Sequence, residues 1–296
     1  MTPLVKSKYP IICAPMNRVS DLTLALAAFN AGIVPSLVIY NYRDDQWDAD
    51  FSKFKTELTE FIRLTGSTQL VVALKSELLL KKKSVIELLL KTRPACVEIF
   101  DVVDTDSREL LSVFSLFNKV GIKLVLKILG VKDIGIMEQY VSGIIIKGQD
   151  GAARIGTLPI ALTDRIIEIK KKYPTKYIIA SGGIESSADI RDCLDAGANA
   201  VSLGTVFAMT CESSISKETK DKILTSNFSE IKNIGAERQN ALVFSSEPDI
   251  DGNHTMGLEL GVKSPVQGHV FVGKAIDSIT EVEPLSAVVK KLVDGL

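Results

Sequence analysis

Histidine is nearly absent from these 296 residues: there are two, His254 and His269. Neither has a cysteine, aspartate or histidine partner at metal-ligand spacing, so no metal centre is expected, and no Ser-His-Asp arrangement can be argued. Cysteine is sparse as well. Cys13, Cys96, Cys193 and Cys211 lie far apart with no Cys-x-x-Cys pair, and three of them fall in expected strands or on an apolar helix face, where a thiol is a small hydrophobe. A disulfide framework is thereby excluded, and a reduced, cytosolic, soluble protein is expected. Neither sign of charge dominates: 35 basic against 36 acidic side chains leave a net charge of −1 and a pI near 6.2. No electrostatic argument then favours nucleic acid or an anionic membrane. The apolar runs are short, whereas a membrane-spanning helix needs roughly 20 residues. The chain opens Met-Thr-Pro-Leu-Val-Lys-Ser-Lys and enters a strand, so no signal peptide is expected. A Gly-x-Gly-x-x-Gly fingerprint is missing too, so any NAD(P)H would have to bind in an open pocket.

What the chain does have is alternation. Short runs rich in Val and Ile alternate with helical segments, the pattern of parallel βα units. Candidate strands are Tyr9–Ala14, Ile33–Leu37, Leu70–Leu74, Cys96–Phe100, Lys123–Ile128, Gly143–Ile146, Tyr177–Ala180 and Ala200–Leu203. Eight strands close a barrel, so the expected fold is an α/β TIM (β/α)8 barrel with a small insertion after strand eight. The expected organisation is a barrel over residues 1–211, an insertion over 212–270, and a C-terminal segment over 271–296 whose helix, Leu285–Val293, packs back on the barrel. Helices are expected over Asp21–Asn30, Phe51–Leu64, Asp106–Lys119 and Ala188–Asp195, each followed by glycine, the usual stop. Ser186 or Ser187 can cap the last of these. Glu77–Lys91 reads as one barrel helix with a solvated lysine face, and Lys217–Thr225 as a helix of the insertion.

The most informative stretch runs from Tyr177 to Thr205. One buried strand ends in Ser181-Gly182-Gly183, and the next ends in Gly204-Thr205. Adjacent glycines remove the Cβ atoms that keep an anion from the backbone, and their N–H groups can form a nest for phosphate oxygens. Loops after strands seven and eight are where a TIM barrel holds phosphate.

Four segments recur in order: Ile12-Cys13-Ala14-Pro15-Met16, Lys147-Gly148-Gln149-Asp150-Gly151-Ala152-Ala153-Arg154-Ile155-Gly156, Ala180-Ser181-Gly182-Gly183-Ile184 and Leu203-Gly204-Thr205-Val206-Phe207. Together they resemble the nitronate monooxygenase (2-nitropropane dioxygenase) family and its relatives, the flavin-dependent enoyl-acyl-carrier-protein reductases. The likeness spans residue 9 to about 225, and Phe271-Val272-Gly273-Lys274 has a family counterpart. It implies a barrel holding FMN, with phosphate on Ser181, Gly182, Gly183, Gly204 and Thr205, and Ala14, Pro15 and Met16 against the isoalloxazine ring. A small residue and a polarisable thioether suit such a ring, although Pro15 and Met16 could simply end a core strand. The resemblance also implies a dimer.

The chain departs from the family at the sixth loop. Family members carry Gly-Gly-His there, with the histidine as base or electrostatic partner; here the run is Ala152-Ala153-Arg154. Arginine cannot act as a base, so Arg154 is read either as a two-pronged anion ligand or as a rim arginine paired with Asp150 or Asp164. Lys147 replaces the usual Gln or Glu and could place positive charge near the reduced flavin, or reach the phosphate or Asp150. Lys75 replaces a common asparagine. Three cations at strand ends imply an anionic substrate or a tighter hold on the FMN phosphate. Asp150 remains for proton transfer, or as an ion-pair partner of Lys147 and Arg154. The segment Asn41–Asp48 could line the pocket or be a solvated connection. Asp249–His254 is read as a polar turn rather than a calcium loop, because its glycine and bidentate glutamate are missing.

The expected function is FMN-dependent, nitronate-monooxygenase-like oxidation of a small anionic molecule, with dioxygen as acceptor. Alternatives are an NAD(P)H-dependent enoyl-thioester reductase serving an acyl carrier protein, a flavin-free isomerase or lyase holding a phosphorylated substrate, and a flavin protein that has lost turnover.

Overall fold

A computed structural model describes residues 4–39, 46–102, 107–129, 134–156, 159–234, 239–244 and 254–296. The strands are β1 (Ile11–Cys13), β2 (Ser36–Val38), β3 (Val71–Lys75), β4 (Cys96–Phe100), β5 (Lys123–Ile128), β6 (Gly143–Lys147), β7 (Ala153–Arg154), β8 (Tyr177–Ser181), β9 (Ala200–Leu203), β10 (Lys232–Ile234), β11 (Gln239–Val243) and β12 (His269–Val270). The helices are α1 (Leu22–Asn30), α2 (Trp47–Thr65), α3 (Ser76–Lys81), α4 (Lys83–Thr92), α5 (Arg108–Lys119), α6 (Leu162–Lys172), α7 (Ser187–Asp195), α8 (Thr205–Ala208), α9 (Lys217–Leu224), α10 (His254–Lys263) and α11 (Leu285–Val293).

Eight strands form one parallel sheet in the order β1-β9-β8-β6-β5-β4-β3-β2. A parallel bridge from Ile12 to Val34 joins the two ends. The result is a TIM barrel, with β8 and β9 as its seventh and eighth strands.

Period-two alternation explains the two cores. Ile12, Val34, Val71, Cys96, Val125, Ile145, Ile179 and Ala200, from all eight strand regions, form one cluster with Val5; only residues facing the barrel interior can meet this way. Their neighbours, such as Val72, Val97, Leu124, Ile144, Ile178 and Val201, join the helices in a larger outer core. That is why the strands read as unbroken apolar runs. Phe61 of α2 is fully buried in the outer core and meets Phe29 edge-on, with centroids 5.7 Å apart. Phe61→Ala should cost about 3–5 kcal/mol, read as a lower urea midpoint.

Helix starts follow side-chain chemistry. Asp21 accepts from the Leu24 N–H at 3.0 Å, and Ser186 rather than Ser187 caps α7, in a capping box with Asp189. The single helix expected over Glu77–Lys91 is instead two, α3 and α4, broken at Lys82 (φ −127°, ψ 88°). The break buries Leu78 and Leu79 as well as Val85, Leu88 and Leu89, and sets the Lys82 ammonium 4.7 Å from the Trp47 ring centroid. Among the described residues no helix is long and apolar enough to cross a membrane.

Beyond the barrel, β10, β11 and β12 form a small antiparallel sheet, and β7, from the loop after β6, pairs with β11. The α11 helix lies against α1 and α7. Positions 41–45 and 249–253, read above as a pocket loop and a polar turn, lie outside the described residues.

Candidate active site

The candidate site lies at the C-terminal ends of the barrel strands, where a TIM barrel carries its active site. Inward-facing positions of β4, β5 and β6 place Glu98, Lys127 and Lys147 on three adjacent strands. The parallel register puts Glu98 opposite Val125, Lys127 opposite Ile145, and Lys147 opposite Ser181. Glu98 is fully buried and paired with Lys127.

Lys147 is only partly buried by surface, yet protein surrounds its ammonium. Its side chain runs beside Gly151, where a Cβ would stand 2.9 Å from the lysine Cε. Desolvation first, and then the neighbouring Lys127 charge, push its pKa down to about 7, with Glu98 opposing. The unfolded chain binds this proton more tightly, so the folded state carries a penalty that is full below pH 7 and fades as pH rises toward 10.5. Lys147→Met should therefore raise the melting temperature most below pH 7, with the gain shrinking in melts at higher pH.

Arg154, on β7, is paired with Asp101 rather than with Asp150 or Asp164. Lys75, at the end of β3, places its Nζ 3.5 Å from the other Asp101 oxygen. Both Asp101 (φ 53°) and Ala153 (φ 54°) are left-handed, a conformation that costs about 1 kcal/mol or more outside glycine and tends to gather at functional sites. The small sheet holds this loop in place: Asn240 of β11 donates to the carbonyls of Gln149 at 3.1 Å and Gly151 at 2.9 Å. Asp150 is not the ion-pair partner of Lys147 or Arg154. Its side chain is exposed, and its carbonyl accepts from the Lys274 N–H at 2.9 Å, so burial does not prepare it for proton transfer.

The glycine turn after β8 has the required geometry. Gly182 (φ +93°) and Gly183 (φ +81°) are both left-handed. A Cβ on Gly183 would stand 2.9 Å from the Asp150 Cβ. Among the described residues, the N–H groups of Gly183 and Ile184 find no acceptor. One strand along, Gly204 lies against Met16 and Ala14: a Cβ there would be 3.6 Å from the methionine Sδ and 3.8 Å from the Ala14 Cβ. Ala14, Pro15 and Met16 keep part of their surface open. The Thr205 hydroxyl is occupied, accepting from the Gly273 N–H at 3.0 Å, so the C-terminal tail crosses this end of the barrel.

The sequence profile of the nitronate monooxygenase family matches residues 86–241. The chain belongs to the nitronate monooxygenase family. Among solved structures, FabK from Thermotoga maritima superposes with a TM-score of 0.79 at 17% identity, over 98% of this chain and 93% of that one. Nitroalkane oxidase from Streptomyces ansochromogenes superposes with a TM-score of 0.74 at 19% identity, over 97% and 96%. Identity this low establishes the shared fold alone. No curated protein sequence matches the chain.

Nitronate monooxygenase family members are FMN-dependent oxidoreductases, and this protein is an enzyme of that class. Its residues fit the flavin. Successive left-handed glycines with N–H groups lacking an acceptor suit a dianionic phosphate, and the Ala14–Met16 platform beside Gly204 offers apolar, partly open surface for a flat ring.

Sequence reasoning missed Asp101, Glu98, Lys127 and Arg165. Two of these left a signal: a charged residue inside an apolar strand, Cys-Val-Glu-Ile-Phe and Leu-Val-Leu-Lys-Ile, has to be paired when both faces are buried. Asp101 and Arg165 left none, because their partners lie 53 and 18 residues away in the chain.

Proposed function

We propose that this protein oxidises a small anionic organic molecule with bound FMN, dioxygen being the acceptor. The observation that carries the reading is the left-handed pair Gly182–Gly183, followed by the Gly183 and Ile184 N–H groups that find no acceptor among the described residues, at the same end of the barrel as the Ala14–Met16 platform. Gly182, Gly183, Ile184 and Gly204 would hold the phosphate through backbone N–H groups; the ring would lie on Ala14, Pro15 and Met16. When bound, the flavin supplies a two-electron acceptor at N5.

The rest is the work of side chains. Arg154 and Lys75 both pair with the carboxylate of Asp101, and these two cations would receive a substrate anion at the mouth. Asp101 also holds the guanidinium in position, limiting the rotamer freedom lost when an anion arrives. Lys147 lies near half-protonation at neutral pH; its Nζ can carry positive charge beside the ring or hold a proton there. Arg154 would take the place of the family histidine as an anion ligand, and Lys147, its pKa lowered by desolvation to about 7, would exchange a proton near neutrality.

Arg154→Ala should raise KM for an anionic substrate by about tenfold or more with a smaller effect on kcat, the pattern of lost ground-state binding. Steady-state kinetics with a nitronate checks it. The decisive experiment is anaerobic. Flavin absorbance of the loaded protein should bleach with a nitronate and only slowly with NADPH; the reverse would establish an enoyl-reductase-like enzyme, and a protein that stays colourless with added FMN would overturn the reading.

A further inference from the structure

We propose that the barrel carries a second binding site at its N-terminal end. Its ligand is a small neutral molecule with an apolar ring and one O–H or N–H donor, a phenol being the simplest. The site lies at the opposite end from the glycine turns and does not depend on the flavin reading.

The barrel interior leaves space there. Such interiors are filled by layers of bulky side chains drawn from alternate strands. Here the inward-facing cluster nearest the N-terminal end includes two small residues, Cys96 and Ala200. A cavity of about 210 Å³ remains, walled by Val71, Cys96, Val125, Ile145, Ile179 and Ala200. An apolar cavity of about 150 Å³ stays dry and takes up benzene, so this one has room for a substituted six-membered ring.

The entrance is built rather than frayed. Val5, from the segment that precedes β1, packs into the same inner cluster. That segment is pinned on both sides of the opening. The Lys6 N–H donates to the Gln69 Oε1 at 2.8 Å, and the Lys8 and Tyr9 N–H groups donate to the Gly32 carbonyl at 3.0 and 3.1 Å. Ser7 and Lys8, between the pins, line the cavity and are exposed, so the space reaches solvent there. A rim held in this way makes the cavity preformed. Tyr177, also in the wall, donates its hydroxyl to the Asn199 carbonyl at 3.1 Å, so its polar end is already satisfied.

One carboxylate interrupts the apolar wall. Glu98 stands one pleat above Cys96 on β4 and is 1% exposed, so it meets the cavity at the end nearer the catalytic face. Its ion-pair partner, Lys127, lies two residues beyond Val125 on β5 and is not part of the cavity wall. The pair is neutral as a unit, which disfavours a charged ligand of either sign in so apolar a space. A carboxylate can accept about four hydrogen bonds, and one ammonium does not exhaust it. A neutral donor therefore gains a charge-assisted hydrogen bond at Glu98 while its ring covers Val71, Ile145 and Ile179.

The test is a fluorine NMR titration of the purified full-length protein, with and without saturating FMN, using 4-fluorophenol, fluorobenzene and 4-fluorobenzoate. We expect 4-fluorophenol to bind with a Kd of about 1 mM or below. It should bind about fivefold or more tighter than fluorobenzene, the worth of one net hydrogen bond, and the benzoate should bind weakest. FMN should leave its affinity unchanged, because the flavin turns lie at the other end of the barrel. Ala200→Leu fills the cavity and should abolish binding, a thermal melt confirming that the variant folds; if it does not, Ala200→Val should weaken binding by about tenfold. No binding of 4-fluorophenol up to about 10 mM, displacement by FMN, or unchanged affinity in a folded Ala200 variant would overturn the proposal. Equal affinities for 4-fluorophenol and fluorobenzene would remove Glu98 from recognition and overturn the stated ligand class. Any of these failures leaves the flavin reading intact, and a protein that takes up 4-fluorophenol but no FMN would remove the flavin reading alone.

Discussion

Arg165→Met is expected to destabilise the protein by about 2–4 kcal/mol, seen as a lower urea midpoint with an unchanged far-UV spectrum before the transition. Arg165 projects from α6 and is completely buried. Its guanidinium donates to the carbonyl of Lys147, and at 3.0 Å to that of Leu129. These carbonyls follow β6 and β5, so one side chain ties the tops of two neighbouring strands where the barrel ladder has ended. A hydrogen bond to a charged group is worth about 1.5–3 kcal/mol, and removing the donor leaves both part-buried carbonyls without it. Relief of the buried charge offsets part of the loss. Burial indeed lowers the arginine pKa, with Glu168 opposing. Gly156 is glycine because any side chain there would collide with the guanidinium. Methionine keeps most of the volume, so a stability change no larger than that of a surface arginine would show that this clasp contributes nothing.

Gly183→Val is expected to reduce flavin affinity by about 100-fold or more. Two separate causes act. The backbone sits at φ +81°, where a β-branched residue is strained by more than the roughly 1–2 kcal/mol that left-handed geometry costs other residues. The new Cβ would also stand 2.9 Å from that of Asp150, so the turn or the Asp150 loop must shift. Either movement re-aims the N–H groups of Gly183 and Ile184, and losing two charge-assisted hydrogen bonds to a phosphate amounts to a few kcal/mol. Fluorescence titration with FMN measures the affinity, and a thermal melt of the unliganded variant separates binding loss from unfolding. Wild-type affinity in a folded Gly183→Val protein would show that this turn is not the phosphate cradle.

Lys147 connects stability with function. Its desolvated amine makes the native state less stable at neutral pH, and the same desolvation brings its pKa to about 7, where it would exchange protons under the proposed function. The Asp101–Arg154–Lys75 triad follows a similar pattern, with two left-handed non-glycine residues, Asp101 and Ala153, at its base. A surrounding structure that over-determines these positions is needed to hold them. Asn240, reaching from β11 to Gln149 and Gly151, is part of that support.

Local pattern made much of the barrel legible. Val- and Ile-rich runs marked every strand, glycines after helices marked the stops, and both glycine turns were visible because glycine pairs serve few other purposes between a buried strand and a helix. The split at Lys82 was not visible: the whole of Glu77–Lys91 has helical periodicity, and the contact at the break, the Lys82 ammonium over the Trp47 ring, joins residues far apart in the chain. The candidate site followed the same division: Ala14–Met16, Lys147, Arg154, Gly182–Gly183 and Gly204–Thr205 come from contiguous motifs and were proposed from the chain, whereas their partners across the barrel were not.

Sequence alone determined the barrel, its family and the end of the barrel that carries the two glycine turns, because these rest on periodicities and short motifs encoded within a few residues. Only the tertiary structure decided that Arg154 binds Asp101 rather than Asp150, that Glu98 pairs with Lys127, and that Arg165 ties β5 to β6. Ion pairs and desolvation depend on distances between segments far apart in the chain, and those distances exist only once the barrel has closed.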